Sequence, residues 1–130
     1  MADDRPGAET PHLPRAALID AYGNGGFRFG GMSHRGSLLC LPDGIWAWPV
    51  TDVAAMTEND FAAVFERATE LDMFMIGCGN EPAALQEELR QRFHDAHIFV
   101  DIMTTGAAVR TYNVLLAERR RIGAALIAVD

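Results

Sequence analysis

Glycine, thiol and amide groups are gathered where one apolar run of the chain ends. The run Asp72–Ile76 is followed by Gly77-Cys78-Gly79-Asn80, and Pro82 beyond them suits the first turn of a helix. Main-chain N–H groups at a helix start bind anions, and glycines let a ligand approach the backbone. A cysteine at a helix start is also a candidate nucleophile, although no general base can be assigned beside Cys78. The stretch therefore predicts a ligand contact, and its structural alternative is a tight strand-to-helix turn.

A second stretch, residues 104–120, places polar groups on a helix whose packing does not require them. Thr104 or Thr105 is the natural N-cap, and Gly106 permits a close approach to the backbone. Arg110 and Asn113 are three residues apart and therefore share one flank of the helix. The predicted core-facing residues are Ala108, Val109, Tyr112, Leu115 and Leu116.

Both stretches are predicted to lie between a strand and a following helix. If the two strands are parallel neighbours, both loops lie at the carboxyl edge of the sheet, where open α/β folds bind ligands. The candidate ligand- or partner-binding residues are Gly77, Cys78, Gly79, Asn80, Thr105, Gly106, Arg110 and Asn113. The alternative gives Arg110 an ion pair with a local acid and Asn113 a hydrogen bond to a nearby loop.

The remaining side chains offer little chemistry. His94 and His97 straddle a predicted helix–strand junction without sharing a face, so no metal site is expected. No triad or convergent carboxylate pair is evident. All eleven basic residues are Arg, and the absence of Lys excludes a Schiff-base lysine and a P-loop lysine. We expect a protein with no cofactor, and we favour a non-catalytic role.

Length and charge limit the class of protein. The chain has 130 residues, the usual size of one domain, and its net charge of −7 argues against nucleic-acid binding. No apolar run is long enough to span a bilayer. With no secretory leader, Cys40 and Cys78 are expected to be reduced thiols in a cytoplasmic protein. We expect a flexible arm over residues 1–14 and a single globular domain over residues 15–130.

The first part of that domain is predicted to contain strands and tight turns. Ala16–Tyr22 is a short apolar run that ends at a glycine-rich turn, and Phe27-Arg28-Phe29 alternates with the period of a strand. Ser37–Leu41 and Ile45–Val50 follow on either side of a turn signal. The last run contains Trp46 and Trp48, for which core or interface packing is favoured over ligand stacking.

From residue 57 onward helices are predicted to alternate with strands. The helices begin at Thr57, where Asp60 completes a capping box, at Asn80 and at Thr105. The strands are Asp72–Ile76, Ile98–Ile102 and Ile122–Val129. Strands joined by helices of this length form parallel pairs with right-handed crossovers. The predicted fold class is α/β, a three-layer single domain with a mixed central β-sheet flanked by helices, in which an N-terminal β-hairpin region precedes βαβαβ-type units.

Several runs also carry a family resemblance that covers roughly residues 16–128. They are Ile19-Asp20-Ala21-Tyr22-Gly23, Gly25-Gly26-Phe27, Gly36-Ser37-Leu38-Leu39, Trp48, Ile76-Gly77-Cys78-Gly79 and the most specific of them, the run from Thr105 to Glu118. In these runs the chain resembles small bacterial and archaeal proteins of long-unknown function, whose mitochondrial relative is an assembly factor for respiratory complex I (NADH:ubiquinone oxidoreductase). Cys78 stands where that family often has Thr, and Val109 where relatives frequently carry Cys. Both departures weaken any family-wide thiol chemistry.

The resemblance implies the same three-layer fold and a role in protein–protein association during respiratory-complex biogenesis. Our leading hypothesis is a non-catalytic interaction protein that is cytoplasmic and peripheral to the inner membrane. Its expected partners are respiratory complex subunits or another assembly factor. One alternative is a small-molecule or anion-binding domain, or an uncharacterised enzyme, that uses the two strand-to-helix loops. Another is a homodimer formed through the tryptophan strand or the last helix.

Overall fold

The computed structural model describes residues 10–130 and contains two β-sheets with three α-helices in that range. The strands are Ile19–Gly23 (β1), Gly26–Phe29 (β2), Met32–Arg35 (β3), Ser37–Leu41 (β4), Gly44–Trp48 (β5), Met73–Gly77 (β6), Phe99–Met103 (β7) and Ile122–Leu126 (β8). The helices are Ala62–Glu66 (α1), Glu87–Asp95 (α2) and Thr105–Ala117 (α3). Short 3₁₀ turns lie at Val53–Ala55, Glu58–Phe61 and Ala68–Glu70.

The larger sheet has five strands in the order β5-β4-β8-β6-β7. Strand β6 runs parallel to both β7 and β8, whereas β4 runs antiparallel to β8 and β5. The segment β6-α2-β7-α3-β8 therefore forms the two consecutive βαβ units that the sequence predicts. The carboxyl ends of β6 and β7 lie side by side, because Gly77 pairs with Met103.

The smaller sheet is an antiparallel meander of β1, β2 and β3. Asn24 and Gly25 have φ angles of 52° and 78°, which suit the two-residue turn of a hairpin. The register of β1 shifts between Ile19 and Ala21, so Asp20 lies in a β-bulge. Strand β3 was not predicted, because its four residues lack an apolar alternation; pairing with β2 accounts for its conformation.

Two apolar clusters occupy the two faces of the five-stranded sheet. On one face, Phe61, Phe74 and Phe93 pack with edge or stacked geometry beneath α1 and α2. On the other face, a second cluster that includes Phe29 and Tyr112 joins the sheet to α3 and the smaller sheet. These layers confirm the predicted fold class: helices α1 and α2, the mixed sheet, then α3 with the small sheet.

The two tryptophans belong to the core. Trp46 and Trp48 are each 3% exposed. The indole N–H of Trp48 donates to the main-chain oxygen of Asp60 at 3.0 Å, and the Arg67 guanidinium lies 5.1 Å from the Trp46 ring centroid. The preference for packing over ligand stacking is therefore consistent with their positions.

Two helix predictions need correction. The capping box of Thr57 and Asp60 forms, with the Thr57 N–H donating to Asp60 Oδ2 at 2.8 Å, but it opens a 3₁₀ turn and only a short α1. The helix predicted to start at Asn80 begins instead at Glu87. Residue 81 precedes a proline, which disfavours helical backbone there, and acidic residues at 87 and 88 suit the positive end of a helix dipole.

Of the arm predicted over residues 1–14, residues 1–9 lie outside the described residues. The rest is attached to the edge of the larger sheet. The Ile45 N–H donates to the Leu13 oxygen at 2.9 Å, and the His12 N–H donates to the Ile45 oxygen at 2.9 Å. Leu13 is 8% exposed, so this short segment covers the outer edge of β5.

Candidate functional site

The two strand-to-helix loops meet as the parallel topology predicts. A Cβ added to Gly77 would lie 3.0 Å from the Thr105 Cα, so glycine is what allows the two backbones to approach. The Cys78 N–H donates to the Met103 oxygen at 2.8 Å, and the Thr105 N–H donates to the Gly79 oxygen at 2.9 Å. The loops therefore form one junction at the carboxyl edge of the sheet.

The Thr105 hydroxyl lies inside this junction. It donates to the main-chain oxygen of Ile127 at 2.7 Å and accepts from the Gly79 N–H at 3.0 Å. Thr105 is fully buried, although it is the first residue of α3 and follows the N-cap Thr104. Its hydroxyl therefore joins the β6 loop, the end of β8 and the start of α3.

This geometry uses the main-chain donors that an anion would need. The N–H groups of Cys78 and Gly79 both donate within the protein, and no helix begins at Asn80, which is exposed. For Gly77, Cys78 and Gly79 the geometry favours the structural alternative, a tight turn. Their role in ligand binding stays a prediction.

Both thiols are buried, Cys78 in the loop after β6 and Cys40 in β4. Cys78 is 7% exposed, and its Sγ lies 3.2 Å from the Glu81 oxygen, to which the thiol donates. Cys40 is fully buried in β4, and burial raises the pKa of its thiol to about 12. A nucleophilic cysteine requires a nearby base. Within residues 10–130, neither thiol has a hydrogen bond or electrostatic contact with a side chain that could act as that base.

Gly106 lies against the small sheet. A Cβ at this position would lie 2.6 Å from the Tyr22 Oη, so the absence of a side chain makes room for the phenol ring. Tyr22 is 41% exposed at the margin of the sheet. The close approach predicted for Gly106 is thus made by a side chain of the same chain.

Asn113 joins the same sheet to α3. Its Oδ1 accepts from the Ile19 N–H at 2.8 Å, and its Nδ2 donates to the Ile19 oxygen at 2.8 Å. From the preceding residue of α3, the Tyr112 hydroxyl donates to the Ala17 oxygen at 3.4 Å, and burial raises the pKa of that phenol. The amide of Asn113 therefore holds β1, so its partner is a strand residue and not the nearby loop that the structural alternative expects.

Arg110 differs from the other candidates. It is exposed, and no hydrogen bond or ion pair connects it to any residue between 10 and 130. The alternative of an ion pair with a local acid is therefore not seen in that range. Arg110 remains available to a ligand or a partner.

Two further absences apply to the described part of the chain. Residues 10–130 contain no group of three or more His, Cys, Asp or Glu side chains that could hold a metal ion. No helix in the same range has the length and apolar character needed to cross a membrane.

Strand β7 was not among the predicted site elements, yet it presents an unpaired edge. In contrast to β5, whose edge is covered by Leu13, the outer edge of β7 has no paired strand within residues 10–130. Phe99 is 61% exposed. Phe99, Asp101 and Met103 pair in register with β6 residues on the α3 side of the sheet, so they face that side too.

The neighbouring flank of α3 continues this exposed region. The Thr111 hydroxyl contacts the Met103 Sδ at 3.7 Å, and Val114, three residues further along the same flank, is 58% exposed. We define the β7–α3 surface as Phe99, Asp101, Met103, Thr111 and Val114. The sequence shows Phe99 only as an apolar residue of a predicted strand. Its exposure in the structure marks the surface, since a large apolar residue at the start of an edge strand is normally covered.

The fold and these loops define a three-layer α/β domain whose predicted site is largely an internal junction. Residues 19–127 match the family described as "Protein of unknown function (DUF498/DUF598)", and the chain belongs to that family. Membership confirms the resemblance drawn from the sequence runs.

Individual relatives extend this finding. The chain is 37% identical to an uncharacterized protein of Rhodobacter capsulatus, over 90% of this chain and 89% of that one. It is 32% identical to NADH dehydrogenase (ubiquinone) 1 alpha subcomplex assembly factor 3 of Rattus norvegicus, over 88% of this chain but only 62% of the rat protein. A crystal structure from Bartonella henselae, described as an outer membrane protein, is 50% identical with a TM-score of 0.88, covering 92% of this chain and all of that one.

Proposed function

We propose that this protein is a non-catalytic interaction domain that assists the assembly of a membrane respiratory complex of the NADH:ubiquinone oxidoreductase type. The observation that carries the proposal is the similarity to the rat assembly factor, which extends over 88% of this chain. The match covers only 62% of the longer relative. The role in this chain is therefore assigned to the domain itself.

The β7–α3 surface is the contact region that we assign to this role. Its edge strand offers unpaired main-chain groups, and Phe99 and Val114 offer apolar side chains beside it. Addition of a partner strand to a sheet edge satisfies the main-chain groups, while alternate side chains provide specificity. Both side chains are already partly buried, so covering each of them gives less than the roughly 1.5–3 kcal/mol of a fully exposed apolar side chain.

The charge on this surface indicates the chemistry of the partner. Asp101 is exposed between Phe99 and Met103 and has no ion pair within residues 10–130. A complementary strand would carry a basic residue opposite Asp101 and apolar residues on either side. Symmetric antiparallel pairing of two β7 strands about Asp101 would instead place two carboxylates opposite each other, which is unfavourable. We therefore assign the surface to a different protein, a complex subunit or a second assembly factor.

Affinity capture from the native host tests this assignment. The tagged protein is expected to recover a subunit or assembly factor of the respiratory complex from solubilised membranes. The double variant Phe99→Ser/Val114→Ser should lose that recovery. Leu18→Ser is the matched control, since Leu18 is also a large apolar residue, 44% exposed, and lies outside the surface.

The possible outcomes of the capture experiment have different consequences. Equal recovery by wild type and the double variant would exclude the β7–α3 surface but not the proposed role. Capture without any respiratory-complex protein would contradict the role. Light scattering at micromolar concentration tests the homodimer alternative by measuring the molar mass in solution. The proposed assignment to a different protein expects a monomer.

A further inference from the structure

The outer face of the small sheet carries a regular arrangement of side chains. One cross-strand row contains Ala21, Arg28 and Ser33, since Arg28 pairs with both of the others. The next row, two residues along each strand and thus on the same face, contains Gly23, Gly26 and Arg35. Two arginines therefore stand at diagonal positions, and the other four positions carry only small residues.

A crevice occupies this face. Its volume is about 390 Å³, and all six residues of the two rows line it. This volume lies in the range of about 300–1,000 Å³ that is typical of small-molecule sites. Diagonal Cα atoms on neighbouring strands are roughly 7–8 Å apart, which long arginine side chains span easily. The two guanidinium groups can therefore reach one ligand above the small residues.

The charges around the crevice are unbalanced. Arg28 and Arg35 are exposed and form no ion pair with any residue in the described range, although the chain has 18 acidic residues. By contrast, Arg67, Arg92 and Arg121 each lie within 3.1 Å of a carboxylate oxygen. Asp20 lines an adjoining crevice with Arg28, but no ion pair joins them.

We propose that this crevice binds a small ligand through a phosphate group held between Arg28 and Arg35. Guanidinium groups bind phosphate oxygens in a bidentate manner, and two of them match a doubly charged group. The crevice exceeds the size of a phosphate alone, so the remainder of a small phosphate ester fits over the small residues of the sheet. A long polyanion is disfavoured by the net charge of −7. This site is independent of the β7–α3 surface.

An NMR titration of the ¹⁵N-labelled full chain tests the proposal. The probes are inorganic phosphate and glucose 6-phosphate at constant ionic strength, with glucose as the uncharged match. Either phosphate probe should produce saturable shifts confined to the amides of β1, β2 and β3. The variant Arg28→Gln/Arg35→Gln should weaken binding at least about tenfold, the effect of losing a charge-assisted hydrogen bond. The dissociation constants of the two phosphate probes are then compared, and the lower one shows whether the site prefers free phosphate or the ester.

Arg119→Gln/Arg120→Gln is the matched control, since both arginines are exposed beyond the end of α3 and the variant loses the same two charges. It should bind as the wild type does. Unchanged far-ultraviolet circular dichroism and urea unfolding establish that the double variant is folded. The absence of saturable shifts with both phosphate probes would overturn the proposal. So would equal binding of glucose, or equal weakening by Arg119→Gln/Arg120→Gln.

Discussion

The side chain of Asn113 and the main chain of Ile19 form a reciprocal pair of hydrogen bonds, both 2.8 Å long, across 94 residues of sequence. The amide both accepts from and donates to one peptide residue, so it continues the edge of β1 like a neighbouring strand. This contact fixes the small sheet against α3. It explains an asparagine on a helix flank that core packing leaves unexplained.

We expect Asn113→Ala to lower the free energy of unfolding by about 1–3 kcal/mol, because two partly buried main-chain groups of Ile19 lose their partners. Urea denaturation measures this change. Asn59→Ala, at an exposed residue, is the control and should change it by less than about 0.5 kcal/mol. Equal effects of the two substitutions would show that the pair contributes no stability.

The junction of the two loops is tested at Thr105. Thr105→Val keeps the shape of the side chain but leaves the Gly79 N–H and the Ile127 oxygen without the hydroxyl. We expect a loss of about 1–3 kcal/mol by thermal or urea unfolding. Thr105→Ser retains the hydroxyl and should be the milder variant. The opposite order would assign the role of Thr105 to its methyl group.

The contact between Gly106 and Tyr22 predicts a coupling. Replacing glycine by alanine in a helix stabilises it by up to about 1 kcal/mol. In the wild type that gain should be reduced, because the new Cβ would lie 2.6 Å from the Tyr22 Oη and the ring must move. In a Tyr22→Ser background the gain should appear in full. Identical effects of Gly106→Ala in both backgrounds, measured in a double-mutant cycle, would show that the two residues do not interact.

The ion pair of Asp43 and Arg67 predicts a pH dependence of stability. Arg67 donates to both carboxylate oxygens, at 2.7 and 3.1 Å, and these hydrogen bonds lower the pKa of Asp43 below its ordinary value. A lowered folded-state pKa gives stability that is present above the ordinary aspartate pKa of about 3.9 and is lost as the pH falls through the folded value. Asp43→Asn should therefore destabilise at pH 7 and progressively less below about pH 4.

Urea midpoints of wild type and Asp43→Asn between pH 2.5 and 7 measure this difference. Hydrogen bonds with Arg121 lower the pKa of Asp72 in the same way. Asp72 therefore makes the stability of both proteins depend on pH, and only the difference between them reports on Asp43. A difference between wild type and variant that stays constant over the whole range would contradict the prediction.

The sheet and its layers could be predicted from sequence because their signals are local. Ser37–Leu41 is a continuous apolar run between two turns, and the structure places β4 at the same residues. The prediction that a helix begins at Asn80 was wrong because a cap residue and a proline form a signal that other contacts of the same loop can override. Leu85, 6% exposed, is buried ahead of the helix, and the Cys78 thiol bonds to the Glu81 oxygen within the intervening loop.

The meeting of the two loops also followed from topology, because parallel strands end at the same edge. Two other features did not follow. The direction of the Thr105 hydroxyl depends on a rotamer set by Ile127 and Gly79, and spacing does not encode it. The diagonal pair Arg28 and Arg35 depends on the pairing of β3, a strand without an apolar pattern of its own.

The most direct test of the proposed role is the amount of assembled NADH:ubiquinone oxidoreductase in a host strain that lacks this gene. Native gels stained for NADH dehydrogenase activity measure that amount. We predict that the assembled complex is reduced in the deletion strain and restored by the wild-type gene or by Leu18→Ser, but not by Phe99→Ser/Val114→Ser. An unchanged level of assembled complex in the deletion strain would contradict the role as an assembly factor.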